Sequence, residues 1–142
     1  MFLWKDDAFE DTYKLKSGQV CKVWFIRYAK DKHIDYIVAF AVANKKKDLE
    51  KWIRQEANQI SYKYTGKSGV EPLLWCRKKI IEFEELVAED DTDSRIIVYG
   101  EDNRRFRAYE YGLKNYGYRK VFINGYWAMI KDIKRREVIN NG

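Results

Sequence analysis

One stretch limits the possible folds of this chain more than any other. Between about Gly69 and Glu89, Leu73, Cys76, Ile80, Phe83 and Val87 recur at steps of three and four, and Arg77, Lys78, Lys79, Glu82, Glu84 and Glu85 fill much of what remains. The spacing predicts a long helix with a single apolar stripe. Pro72 falls in its first turn, where a missing N–H costs nothing, and supports a start near Gly69. The apolar run beyond the acidic segment 90–93, Arg95 to Tyr99, reads as a short strand. A strand directly after a long helix implies a crossover and a parallel neighbour. The expected class is therefore α/β (α+β), a mixed sheet with a central helix.

The rest of the chain supplies the other strands. Residues 12–16 read as a short edge strand before Ser17-Gly18. Residues 19–29 and 34–43, dense in Val, Ile, Phe, Trp and Tyr, read as an antiparallel hairpin across the polar break Lys30-Asp31-Lys32-His33, its second strand buried on both faces. Leu49, Trp52, Ile53 and Ala57 predict a short helix over 47–58, and Ile60 to Thr65 a strand. A further helix opens at Asp102 or Asn103, with Phe106, Tyr109, Leu113 and Tyr116 on one face and Gly117 closing it. Asn124-Gly125 between alternating apolar residues then predicts a closing C-terminal β-hairpin, 120–123 with 126–133, before a frayed end.

Composition narrows the function classes. A length of 142 residues suits a single domain, 1–142, and an apolar content of 46% is enough to build its core. Cys21 and Cys76 lie far apart beside a single His, so neither a zinc site nor a disulfide framework is expected, and no metal ligands are assigned. No run approaches a membrane span and the N-terminus has no long apolar core, so no membrane association and a cytoplasmic location are expected. The net charge of +6 favours anionic partners.

Chemistry concentrates at Lys63-Tyr64-Thr65-Gly66-Lys67-Ser68-Gly69-Val70, a glycine-containing loop feeding the long helix. The N–H groups of Gly66 to Val70 and the positive end of the helix suit a phosphate, with Lys63 and Lys67 adding charge. The bland alternative is an ordinary turn with its lysines in solvent. Gly66-Lys67-Ser68 is also the ending of a Walker A loop. That motif needs a first glycine where this chain has Ser61, and a longer parallel sheet than the remaining chain supplies.

Lys63-x-x-Gly66-x-Ser68 before a helix is similar to the pyrophosphate-binding signature of the GNAT acyltransferase superfamily, with Lys for Arg or Gln and Ser for Gly or Ala. The resemblance continues in Asn103 to Tyr118, where the family carries an Asn near the helix start and a Tyr ahead of a Gly-Phe pair, here Gly117-Tyr118. It implies a GNAT-like mixed sheet and acetyl-coenzyme A as cosubstrate. The pyrophosphate would lie on Gly66, Lys67, Ser68, Gly69 and Val70 with Lys63, and Arg104 or Arg105 would meet the adenosine 3′-phosphate. The acceptor would be an amine. Tyr109 would be the acid that protonates the departing thiolate, although the usual position, counted from Gly117, is Leu113. The first half departs from the family, which places a strand, two helices and a three-stranded meander there.

Such chemistry asks little of side chains, since the family draws its oxyanion donors from backbone at a splayed strand. Glu71 and Glu101 are among many candidate bases, and His33 reads as a solvated turn residue. The alternative to an acetyltransferase is a non-enzymatic basic protein. Arg104, Arg105, Arg107, Lys114, Arg119 and Lys120, interleaved with Tyr109, Tyr111, Tyr116 and Tyr118, would then face nucleic acid or a protein partner.

Overall fold

The computed structural model describes residues 1–49, 68–90, 92–100 and 103–134. Seven strands form one mixed sheet: β1 (Leu3–Lys5), β2 (Ala8–Lys14), β3 (Val20–Ala29), β4 (Ile34–Ala43), β5 (Ser94–Tyr99), β6 (Arg119–Ile123) and β7 (Tyr126–Ile133). Helix α1 (Glu71–Ala88) precedes β5, and α2 (Asn103–Leu113) runs through a 3-10 turn (Lys114–Tyr116) to Gly117. The order across the sheet is β1-β2-β3-β4-β5-β7-β6. Every pairing is antiparallel except β4 with β5. The parallel neighbour expected for the strand after the long helix is thus β4. Residues 46–49 are helical, where the short helix was expected to begin; its remainder and the strand expected over 60–65 lie outside the described residues.

The α1 stripe meets the sheet where its spacing predicts. Cys76, Ile80, Phe83 and Val87 pack on Val23, Phe25, Tyr36, Ile96 and Val98, and α2 adds Phe106 and Leu113 to the same core. Phe83 is the hub: its ring centroid lies 3.9 Å from that of Phe25, stacked, and 4.9 Å from that of Tyr36, edge-on. Aromatic pairs at such separations add to the burial of the rings themselves. The opposite face buries Trp24, Ala41, Ala43 and Leu49, and, farther across, Ile97, Ala128 and Ile130.

Both hairpin turns that bound the sheet use left-handed backbone. Asn124 and Gly125, at φ +53° and +84°, form the turn expected from the sequence. Asp6 and Asp7, at φ +51° and +61°, form a second one, pairing Lys5 with Ala8. The strand expected at 12–16 therefore runs from Ala8 to Lys14 and is not an edge, because β1 flanks it. Aspartate tolerates the left-handed region and bonds locally, so a glycine-free turn was possible at a place where the sequence carries no Gly, Asn or Pro. Gly100 is required for a different reason: a Cβ there would stand 2.3 Å from Phe106 Cβ, so α2 packs directly on the end of β5.

Three burial expectations need correction. The middle of β4, Ile37 to Phe40, is only half-buried, because its pairing with β5 ends at Ile37. Leu73 and Tyr116, assigned to apolar faces, are 38% and 39% exposed. For Tyr116 the cause is the 3-10 turn, which breaks the helical period after Leu113 and leaves the ring under the Arg77 guanidinium, 5.2 Å away. Lys79, by contrast, is buried in α1, its ammonium 2.6 Å from Asp11 and 2.7 Å from Glu82. Burial works against its charge, but these two carboxylates outweigh it and raise the lysine above its usual range.

Candidate functional site

Ser68, Gly69 and Val70 form the turn that starts α1. Gly69 sits at φ +63°, in the left-handed region that glycine enters without strain, and Val70 follows at φ −90°, ψ −8° with no side chain capping the helix. Pro72 brings no N–H to the first turn, and Glu71 turns its carboxylate to the backbone N–H of Lys16 at 3.0 Å. The helix head therefore carries first-turn N–H groups that no side chain caps, at the positive end of the dipole.

Side chains moor this turn to the sheet. Ser68 Oγ donates to Gln19 Oε1 at 2.6 Å and lies 2.5 Å from Ser17 Oγ. Gln19, 1% exposed, donates from Nε2 to Asn44 Oδ1 at 3.0 Å. Asn44 follows the last residue of β4, so the chain of contacts fixes the head of α1 beside the C-terminal end of that strand. Ser17, Gln19 and Asn44 were not singled out in the sequence; Ser17-Gly18 was visible only as a turn. The Ser68 hydroxyl is occupied by these bonds, so what Ser68 has left to offer an anion is its backbone N–H.

At the same end of the sheet the β4–β5 ladder stops among the described residues. β4 and β5 pair in parallel over four positions, Ile34↔Ser94 to Ile37↔Ile97. β4 then continues to Ala43 and β5 to Tyr99 without each other, while β3 stays paired with β4 along its whole length and β7 with β5. Beyond those positions no ladder joins the facing edges of β4 and β5 among the described residues. Carboxyl ends of parallel strands are where open α/β sheets hold ligands. Chemically, strand edges without a ladder suit an extended ligand, and the helix head offers N–H groups to an anion.

The other sequence-derived candidates scatter. Lys63, Gly66, Lys67 and Glu101 lie outside the described residues, as does the side chain of Arg104, whose backbone is in the first turn of α2. Tyr109 is half-buried on α2 against the α1 core. Tyr118 is buried, with its hydroxyl donating to Glu84 at 3.3 Å; burial and the Glu84 charge push its phenol up, so it stays protonated. His33 is not simply solvated: Nε2 stands 3.0 Å from Asp35 Oδ1, at the closed end of the β4–β5 pair. Burial raises Cys21 to about 12 and Cys76 still further, so both are inert core thiols rather than nucleophiles. Among the described residues no cluster of His, Cys, Asp and Glu could hold a metal, and no helix is long and apolar enough to cross a membrane. No protein-family model, curated protein or solved structure matches the chain.

Proposed function

We propose that this chain binds acetyl-coenzyme A and transfers the acetyl group to an amine, on a sheet of the GNAT kind. The observation that carries the reading is the parting of β4 and β5 after Ile37 and Ile97, on the side where α1 begins. An extended thioester arm suits such a gap, because the free N–H and C=O groups of a parted strand bond it as they would a neighbouring strand. The Gly69 turn lies at the same end of the sheet, moored to the β2–β3 turn, and the Lys63 and Lys67 positions precede it in the chain. The order from α1 onward, strand, helix and two closing strands, is also the one the sequence resemblance implies.

The mechanism follows from what acyl transfer to an amine needs. The amine attacks the thioester carbonyl, and backbone N–H groups along the free edge of β4 hold the developing oxyanion where water is excluded. The departing thiolate takes a proton from an acid, and Tyr109 is the candidate on α2. Its packing against the core favours a structural part for the ring, with only the hydroxyl in reach of chemistry.

A second reading, a non-enzymatic surface for nucleic acid or a protein, draws on the C-terminal hairpin. There Phe122 is 60% exposed beside Trp127, whose ring carries the Lys120 ammonium 4.5 Å above it. Calorimetric titration separates the two. Acetyl-coenzyme A should bind with micromolar affinity, and Gly66→Glu, which sets a carboxylate in the loop, should abolish binding without lowering the melting temperature. Normal cofactor binding by that variant, or salt-dependent DNA binding in place of cofactor binding, would overturn the acetyltransferase reading.

A further inference from the structure

Beyond the C-terminal end of α1, away from the parted strands, the helix-bearing face of the sheet holds an open cavity of about 350 Å³. Its floor is Trp4, Phe9, Ile34 and Tyr36, and its walls are Arg27 on β3 and Asp90 with Thr92 on the α1–β5 loop. Three features make it more than a surface dent. The floor is aromatic, with Trp4 50% exposed and its ring centroid 4.7 Å from that of Phe9. Arg27 and Asp90 bring opposite charges to the same cavity. The Tyr36 phenol at its floor is raised by burial and by the Asp90 carboxylate, while the Arg27 charge works against the shift.

A guanidinium and a carboxylate lining one cavity with an aromatic floor fit a planar ring that has acceptors on one edge and donors on the other. We infer that this cavity binds a guanine base. Guanine presents O6 and N7 to an arginine fork and N1–H with its 2-amino group to a carboxylate, and its face stacks on an exposed indole. Adenine has no such division, since its exocyclic amine lies beside N7 and would face Arg27 donor to donor. A flexible zwitterion would satisfy both charges but leave the aromatic floor unused.

Nucleosides test this without engaging the phosphate-suited head of α1. In an NMR titration that follows the Trp4 indole N–H, identified with Trp4→Phe, guanosine should shift the resonance and adenosine should bind at least about tenfold more weakly. Asp90→Asn should lower guanosine affinity by about tenfold while leaving adenosine unchanged. Asp90 is exposed, so that variant should fold; Arg27→Met provides the same test from the other wall. Equal binding of the two nucleosides, no shift with guanosine, or guanosine binding indifferent to both variants would each overturn the inference. A single strand carrying one dG among dT, titrated beside GMP, then identifies the source: tighter binding of the strand means a base within nucleic acid, and equal binding means a free nucleotide.

Discussion

The two ends of the β4–β5 pair are held in opposite ways. At the closed end, Asp35 and Arg95 are register partners, and the guanidinium forks onto the carboxylate at 2.8 and 3.0 Å. His33 closes on the same carboxylate, and Lys30 adds its charge. A few residues on, no ladder joins the two strands among the described residues, and at that end of the sheet polar side chains moor the head of α1 to the β2–β3 turn. One pair of strands is thus clamped by an ion pair at one end and loses its ladder at the other. The clamp matters because parallel strands released at one end would otherwise be free to part along their whole length.

The largest break in the comparison would come from the pillar both ends share. Phe83→Ala removes the ring on which Phe25, Tyr36, Phe9 and Phe2 converge, and should cost about 3–5 kcal/mol in chemical denaturation. A loss below about 1 kcal/mol would mean that α1 does not organise the core as described.

Arg95→Ala attacks the closed end alone. The expected cost is about 2 kcal/mol, less than for a fully buried pair because the Arg95 side chain is 29% exposed. Burial alone would raise Asp35, but the Arg95 hydrogen bonds and charge outweigh it, and its carboxyl lies below the ordinary value of 3.8. A carboxyl depressed by folding stabilises above its unfolded value, and that contribution is lost as pH falls through the folded one. The gap in stability between the parent and Arg95→Ala should therefore be full at neutral pH and narrow below about pH 3.8. A gap that stays constant into acid would show that the pair is not what clamps the strands. Acetyl-coenzyme A affinity should stay the same in this variant at neutral pH, since the gap lies at the other end.

Ser68→Ala gives the smallest and most discriminating effect. It leaves the buried Gln19 carbonyl without its donor, for about 1 kcal/mol. Because the hydroxyl is turned toward Gln19 and Ser17, cofactor affinity should change less than about threefold. A collapse of affinity with intact stability would instead assign the hydroxyl to the phosphate.

Much of this architecture was legible in the chain because it is local. The α1 stripe, the Asn124-Gly125 hairpin, the β3 and β4 runs and the Gly117 terminus each announce themselves within one or two turns of sequence. The β1–β2 hairpin was not legible, since Asp6-Asp7 carries no glycine, asparagine or proline to mark a turn, and neither was the 3-10 turn that exposes Tyr116. Of the site, the glycine loop was visible as a pattern. The mooring of Ser68 was not, because Gln19 lies 49 residues away and looks like any polar residue beside a turn.

By itself, the sequence determined the type and approximate limits of the elements, because hydrophobic period, proline and glycine act over distances shorter than the elements they shape. Only the tertiary structure decided where β4 and β5 part, that Lys79 would be buried between two carboxylates, and that Asp35 would find Arg95 60 residues on. Those outcomes depend on which faces and edges remain after every strand has found its neighbours, and no local pattern of residues encodes that remainder.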